Sequence, residues 1–71
     1  MNLFWFLHKN GALNGRSEFR RLVCMGKIYV NSVPIKFDEH YNLELKENDI
    51  VTIGEPSEAF IEGRFYMVEF Q

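Results

Sequence analysis

Residues 15–31 read GRSEFRRLVCMGKIYVN and carry the clearest structural signal in the chain. The apolar residues of this segment recur with spacings of three and four, which places them on one face of a helix over residues 16–25. They are Phe19, Leu22 and Val23. Gly26 follows where a helix often ends in a left-handed conformation, and residues 28–30 favour a short strand. The segment therefore predicts a basic helix, a glycine stop and a strand.

The charges of the chain are unevenly distributed, although the net charge is only −2. Residues 1–31 contain five Lys or Arg and one Glu, whereas residues 32–71 contain three Lys or Arg and nine Asp or Glu. Because local potential rather than net charge attracts a polyanion, the first half of the chain is a candidate nucleic-acid surface. The alternative is that these basic residues form only a solvated helix face.

Length and composition limit the class of protein. Seventy-one residues fit one small domain, and a composition that is 46% hydrophobic and 15% aromatic favours a compact core without crosslinks. Cys24 is the only cysteine, which excludes an internal disulfide and fits a reducing compartment. No apolar run reaches the roughly 18 residues of a membrane span, and the apolar residues 3–7 lack the basic flank of a signal peptide. We therefore expect a cytoplasmic protein that does not bind membranes.

A first helix is predicted over residues 3–10, with Asn2 as its N-cap and Gly11 as its stop. Phe4 and Trp5 lie outside the stripe of this helix that faces the core, so at least one ring points outward or beneath the C-terminal segment. We expect the C-terminal residues to cover these rings. The functional alternatives are base stacking and a protein interface, in which exposed aromatic side chains act as anchors.

The second half of the chain has the pattern of β-strands. Residues 35–37 and 43–45 alternate apolar and polar side chains, and residues 50–53 are mostly apolar. Turns are predicted at residues 31–34 and 46–49. With the two helices, these strands predict an α+β fold built on a small, mostly antiparallel, twisted sheet. The predicted core consists of Leu3, Phe6, Leu7, Phe19, Leu22, Val23, Ile28, Val30, Leu45, Ile50 and Ile53.

Residues 55–71 are interpreted as a C-terminal β extension of the same domain. Pro56 and Ser57 are expected to form a break, and residues 59–70 are predicted to be a strand, with Gly63 at a hairpin turn or a bulge. Both faces of this strand are apolar, which implies burial on two sides or contact with a partner.

The segment from residue 15 to residue 31 resembles the signature of a small RNA-binding module, named after ribosomal small-subunit protein S-four and also called the αL domain. The family pattern is Ser-Arg-Ser-x-Ala, two often basic positions, Leu-Ile, two further residues and Gly-x-Val-x-Val-Asn-Gly. The matching positions are Arg16, Ser17, Leu22, Gly26, Val30 and Asn31, with Val23 and Ile28 as conservative replacements. The approach to residues 50–54 also resembles the closing element of the family, with Asn48 in place of a glycine.

The resemblance implies an αL RNA-binding fold over residues 1–54, in which the two helices and the loop after Gly26 form the RNA surface. It carries an RNA-binding role to Arg16, Ser17, Arg20, Arg21 and Lys27. Arginine donates two parallel hydrogen bonds to phosphate and stacks on bases, which suits a folded RNA. For Ser17, a local hydrogen bond to the backbone is an equal alternative. For Gly26 and Asn31 we expect mainly a turn geometry.

No arrangement typical of an enzyme is visible. The two histidines and the cysteine lie in different segments, no glycine-rich phosphate loop is present, and residues 38–40 favour a polar loop over a metal site. We therefore predict a non-catalytic module, without cofactor or metal, that binds structured RNA of ribosomal or transfer-RNA-like type. The alternative is a protein-interaction module of the same fold that has lost RNA binding and uses Phe4, Trp5 and the C-terminal strand.

Overall fold

A computed structural model of the chain describes residues 1–36, 38 and 43–70. This part of the chain contains the helices α1 (Leu3–Lys9), α2 (Arg16–Cys24) and α3 (Pro56–Glu62). It also contains the strands β1 (Ile28–Val30), β2 (Val33–Pro34), β3 (Ile50–Ile53) and β4 (Phe65–Met67). The four strands form one antiparallel sheet in the order β2-β1-β3-β4. The predicted α+β class and the antiparallel sheet are confirmed, and none of the described helices is long and apolar enough to cross a membrane.

The predicted unit of helix, glycine and strand is present in residues 15–31. Gly26 has a φ of 67°, and its N–H donates to the Val23 carbonyl at 3.0 Å. The Lys27 N–H donates to the Leu22 carbonyl at 2.9 Å. This pair of hydrogen bonds satisfies two carbonyls of the last turn of α2 and directs the chain into β1.

The helix α1 is capped at both ends as the sequence predicts. The Asn2 side chain accepts a hydrogen bond from the Trp5 N–H at 3.3 Å. Gly11, with a φ of 74°, ends the helix through the same pair of hydrogen bonds that ends α2. Capping matters here because a seven-residue helix is too short to be stable by itself.

One apolar core lies between the α1–α2 pair and one face of the sheet. Its buried residues are Leu3, Phe4, Phe6, Leu7, Leu13, Phe19, Val23, Ile28, Ile35, Leu45, Val51 and Val68. Seven predicted core residues are among them, and Leu22, Val30 and Ile53 pack against them partly buried. The placement of Ile50 in the core is wrong. Because successive strand residues point to opposite faces, Ile50 and Ile53 cannot share a face, and Val51 takes the buried position instead.

The helix α3 contradicts the prediction that residues 59–70 have strand structure from their start. Pro56 begins a helix rather than breaking the chain, because the first helical turn needs no N–H from this residue and suits its fixed φ. Gly63 ends that helix rather than forming a hairpin turn or a bulge. The extension therefore consists of a helix followed by β4, and its predicted addition to the sheet is realised only in β4.

The helix α3 lies over the face of the sheet that points away from α1 and α2. Thr52 points to that face because its neighbour Val51 points into the core, and only 1% of Thr52 is exposed. Phe65 is the register partner of Thr52, and its ring lies 5.0 Å from that of Phe60 on α3. Ala59 of α3 is fully buried, on the side of the helix that faces the sheet. The central strand β3 is therefore covered on both faces.

Two turns use left-handed residues other than glycine. Asn31 and Ser32, with φ values of 52° and 67°, connect β1 to β2 as a two-residue hairpin loop. Asn48, with a φ of 73°, lies in the turn before β3. Asparagine tolerates this conformation because its short side chain can hydrogen-bond to nearby backbone. The turn predicted at residues 31–34 is shorter than expected, since the last two of these residues form β2.

The segment between β2 and β3 contains little regular structure in its described residues. Glu44 forms an isolated antiparallel bridge with Asn2, which ties this segment to the start of α1. Ile35 and Leu45 are buried, as strand alternation predicts. Phe37 of the predicted strand at residues 35–37 lies outside the described residues.

Hydrogen bonds between Asn31 and Asp49 connect the hairpin loop to the start of β3. The Asn31 side-chain amide donates to Asp49 Oδ1 at 3.0 Å, and Asn31 Oδ1 accepts from the Ile50 N–H at 2.9 Å. Asp49 Oδ2 accepts from the Lys46 N–H at 2.8 Å. The Val68 N–H donates to the Asp49 carbonyl at 2.8 Å, so the C-terminal segment is held at the same point.

Replacing Val51 with alanine should destabilise the domain by about 2 kcal/mol, because two buried methyl groups are removed from the central strand. The matched control is Val33→Ala on β2, where the side chain is 63% exposed and the change should stay within about 0.5 kcal/mol. Urea denaturation monitored by circular dichroism measures both free energies of unfolding. Equal values for the two variants would contradict the assigned core.

The Asp49 hydrogen bonds should make stability depend on acid pH. The Lys46 N–H and the Asn31 side chain lower the pKa of the Asp49 carboxyl below its ordinary value. The contribution of Asp49 is therefore fully present above about pH 4 and is lost as the pH falls below that value. Asp49→Asn should lose less stability than the wild type between pH 6.5 and pH 3, as measured by the urea midpoint.

The control for this experiment is Glu47→Gln, which removes a neighbouring exposed carboxyl outside the hydrogen-bonded set. This variant should follow the pH dependence of the wild type. An Asp49→Asn protein with the same acid sensitivity as the wild type would show that these hydrogen bonds do not persist in solution.

Candidate nucleic-acid interface

The predicted RNA-binding residues are all exposed. They are Arg16, Ser17, Arg20 and Arg21 on α2, and Lys27 directly after it. At about 100° per residue, Arg16 and Arg20 lie about 40° apart on one flank of α2. Ser17 and Arg21 are likewise about 40° apart, on the side opposite the buried Phe19 face. The helix therefore presents one broad basic surface rather than isolated charges.

Three of the four cationic groups of this surface are not neutralised by carboxylates of the described residues. Within the described part of the chain, Arg16, Arg21 and Lys27 take part in no ion pair, and the two ion pairs present lie elsewhere. Glu18, the acidic residue of α2, accepts a hydrogen bond from the Asn14 side chain at 3.4 Å. These cations are therefore available to a ligand.

The Ser17 hydroxyl makes no hydrogen bond among the described residues, and the N-terminus of α2 has no side-chain cap. The alternative of a local backbone bond for Ser17 is therefore not realised. By contrast, Gly26 and Asn31 have the turn geometry that the sequence predicts, with positive φ values at both positions.

Phe4 is buried between α1 and α2. Its ring meets the Phe19 ring edge-on, with 5.4 Å between the ring centres and an interplanar angle of 65°. The Arg16 guanidinium lies over the Phe4 ring, 4.4 Å from its centre, which is a cation–π contact. Only 8% of Phe4 is exposed, so it cannot serve as an exposed anchor for a partner. Phe19 and Arg16 of α2 cover it.

Trp5 remains 58% exposed, and its indole stacks on the His8 ring at 5.9 Å and 18°. His8 in turn stacks on Phe4 at 5.6 Å and 28°. The expectation that the C-terminal residues cover this ring is wrong: α3 lies over the opposite face of the sheet, and Met67 and Glu69 approach α1 beside Phe6 and Lys9, while Trp5 stays exposed. We call the series Trp5, His8, Phe4 and Arg16 the aromatic–arginine strip.

The strip contains His8, which the sequence suggested only as a candidate for enzymatic chemistry. His8 follows Phe4 by four positions and Trp5 by three, so all three side chains lie on neighbouring positions of the α1 surface. The sequence alone shows this spacing, so it could have indicated that the three side chains are neighbours. The position of Arg16 over Phe4 had no such local signal, because it depends on how α1 and α2 pack.

The acidic residues near α3 lie on the other side of the sheet from the arginines. They are Glu55, Glu58 and Glu62, and all are exposed. Lys27 lies at the border of the two regions, because its carbonyl accepts a hydrogen bond from the Gly54 N–H at 2.6 Å and Glu55 follows Gly54. These three carboxylates are thus separated in space from the arginines of α2, whereas Glu44 and Glu69 lie beside α1.

The described residues contain no group of three His, Cys, Asp or Glu side chains that could hold a metal ion. Two of residues 38–40, Glu39 and His40, lie outside the described residues. The Cys24 thiol is free and exposed near the end of α2. On the α1–α2 side, the basic surface of α2 and the aromatic–arginine strip are the features with an evident binding chemistry.

Comparisons with known proteins assign no family to this chain. No protein-family model matches it, and neither a curated protein nor a solved structure matches it significantly.

Proposed function

We propose that this chain is a non-catalytic RNA-binding module that holds structured RNA against α2 and the residue that follows Gly26. The observation that carries the proposal is the clustering of three exposed arginines on one nine-residue helix, in a chain whose net charge is −2. Arginine side chains donate paired hydrogen bonds to phosphate oxygens, and a flat basic helix face suits the backbone of a folded RNA.

The charge separation favours one orientation of the RNA. Phosphates approaching from the α3 side meet carboxylates, whereas phosphates approaching α2 meet Arg16, Arg20 and Arg21. Long-range attraction therefore directs a polyanion to the α1–α2 side of the sheet. Lys27, at the border with Glu55, is expected to contribute less than the arginines.

We further propose that the fold is of the αL type, as in the RNA-binding domain of ribosomal small-subunit protein S-four. Support comes from two packed N-terminal helices, the left-handed Gly26 between α2 and β1, and the Asn31 turn that follows β1. In this proposal residues 1–54 form the RNA-binding unit, the remaining residues complete its sheet, and the protein acts in the cytoplasm on ribosomal or transfer-RNA-like targets.

A protein-binding surface is the second candidate, and its location differs from that expected from the sequence. Ile61 is 86% exposed on α3, and the adjacent rings of Phe60 and Phe65 are each 44% exposed. Exposed apolar side chains of this size are typical of interaction sites. This candidate uses the α3 side of the sheet and leaves the basic surface unoccupied.

Replacing Arg20 and Arg21 together with glutamine should weaken binding of a structured RNA hairpin about ten- to hundredfold at low salt. The slope of log affinity against log salt should become shallower by about one to two, because fewer phosphates are neutralised. Fluorescence anisotropy of a labelled hairpin at several salt concentrations measures both quantities.

The matched control is Lys46→Gln with Arg64→Gln, which makes the same change in net charge on the acidic half of the chain. This control should bind RNA like the wild type, and urea denaturation should show that both double variants remain folded. If the wild type lacks salt-dependent RNA binding at low ionic strength, the proposed function is wrong. If the two double variants lose affinity equally, net charge rather than α2 is responsible.

If the α3 surface binds a second copy of the chain, sedimentation should reveal concentration-dependent association in the absence of RNA. Ile61→Gln should then reduce the association, because it replaces the most exposed apolar side chain of that surface. Val33→Gln is the control, since Val33 is also exposed but lies on β2, at the far edge of the sheet. If the wild type stays monomeric, the α3 surface does not bind a second copy of the chain.

A further inference from the structure

We infer that the aromatic–arginine strip takes an unpaired base of the bound RNA, which stacks on the open face of Trp5. This inference rests on the proposed RNA-binding function and deepens it. It specifies the class of RNA as a folded RNA with an unpaired nucleotide next to its duplex. The arginines of α2 hold the phosphates, and Trp5 holds the base.

The strip is a continuous series of contacts from the exposed Arg16, through the buried Phe4 ring, to the exposed Trp5. Arg16 lies over Phe4, Phe4 stacks on His8, and His8 stacks on Trp5. The two ring-to-ring steps have interplanar angles of 28° and 18°, so successive rings are nearly parallel. A flat base added beyond Trp5 would continue this series.

The outer face of Trp5 is open to a ligand. An indole covered by His8 on one face has only its edges and its other face left for solvent. Trp5 is 58% exposed although it contacts His8, so a large part of its surface is accessible to a ligand. Indole is a favourable platform for nucleobases, since every base has an aromatic face and stacking requires no particular sequence.

The platform is held in place before any ligand binds. The Trp5 backbone N–H donates to Asn2 Oδ1 at 3.3 Å, which fixes the start of α1, and the His8 ring contacts the indole. His8 itself rests on Phe4, which is buried between the two helices. Such support reduces the entropy lost when a ligand is bound, because the side chain is already ordered.

The charge of residues 1–17 favours a nucleotide over an apolar protein partner, and the nearby Glu44 carboxylate is paired with the N-terminal ammonium. Residues 1–17 contain Lys9 and Arg16 and no acidic residue. The Arg16 guanidinium lies at the other end of the strip from Trp5, so it would serve a phosphate of the adjoining duplex rather than that of the stacked base. The exposed apolar residues of the α3 surface, in contrast, lie on the other face of the sheet.

The inference is tested with one RNA hairpin in four forms: fully paired, with an unpaired adenosine at the 3′ end, with one at the 5′ end, and with one bulged from the stem. Trp5 is the only tryptophan, so its fluorescence reports on its surroundings alone. We expect at least one unpaired form to quench this fluorescence and to bind about 5- to 100-fold more tightly than the paired hairpin.

Trp5→Leu should abolish this preference while retaining salt-dependent binding of the paired hairpin, and Trp5→Phe should keep part of the preference. Phe70→Leu is the control, because Phe70 is a 48% exposed aromatic residue outside the strip. Its preference should equal that of the wild type.

The outcomes separate the two proposals. Equal affinity for all four hairpins without quenching, or a preference that survives in Trp5→Leu, overturns the base-stacking inference and leaves the proposed function standing. Absence of salt-dependent binding to every hairpin overturns the proposed function, and the inference with it.

Discussion

The left-handed turn at Gly26 is the constraint on which the rest of this small structure depends. Its two hydrogen bonds end α2 and direct the chain into β1 within one residue, so the helix must pack against the sheet it introduces. The carbonyl of the next residue, Lys27, accepts a hydrogen bond from the Gly54 N–H, which joins this turn to the end of β3. The helix α3 begins two residues after Gly54, at Pro56. A single change of backbone direction thus positions the basic helix, the central strands and the acidic helix relative to one another.

The sheet separates two surfaces of different chemistry. One face supports α1 and α2 through a core in which Ile28 and Val51 are fully buried, and the outer sides of these helices carry the arginines and Trp5. The other face supports α3, which carries glutamates and the exposed Ile61. Because β3 is covered on both sides, a chain of this size presents two independent surfaces without exposing its central strand. The proposed RNA site and the apolar surface therefore need not compete.

Local sequence patterns predicted the parts of the fold that depend on near neighbours. Asn2 and Gly11 bound α1 because capping involves only the adjacent turn, and the spacing of Phe19 and Val23 predicts the buried side of α2 in the same way. The prediction failed at α3, where seven residues give too short a window to distinguish a helical period from the alternation of a strand. The error at Ile50 has the same origin, because a four-residue strand with apolar residues on both faces does not by itself indicate which alternate residues point inward.

The sequence by itself determined the basic character of residues 15–31, the position of the glycine stop and the α+β class, since these follow from composition, period and capping. Only the tertiary structure decided that Arg16 and Phe19 enclose Phe4, and that Trp5 remains exposed upon His8. Phe4 and Trp5 are adjacent aromatic residues with similar propensities, so no local rule distinguishes the buried ring from the exposed one. The distinction arises where α1 meets α2, because the packing of residues twelve or more positions apart determines which ring the core encloses.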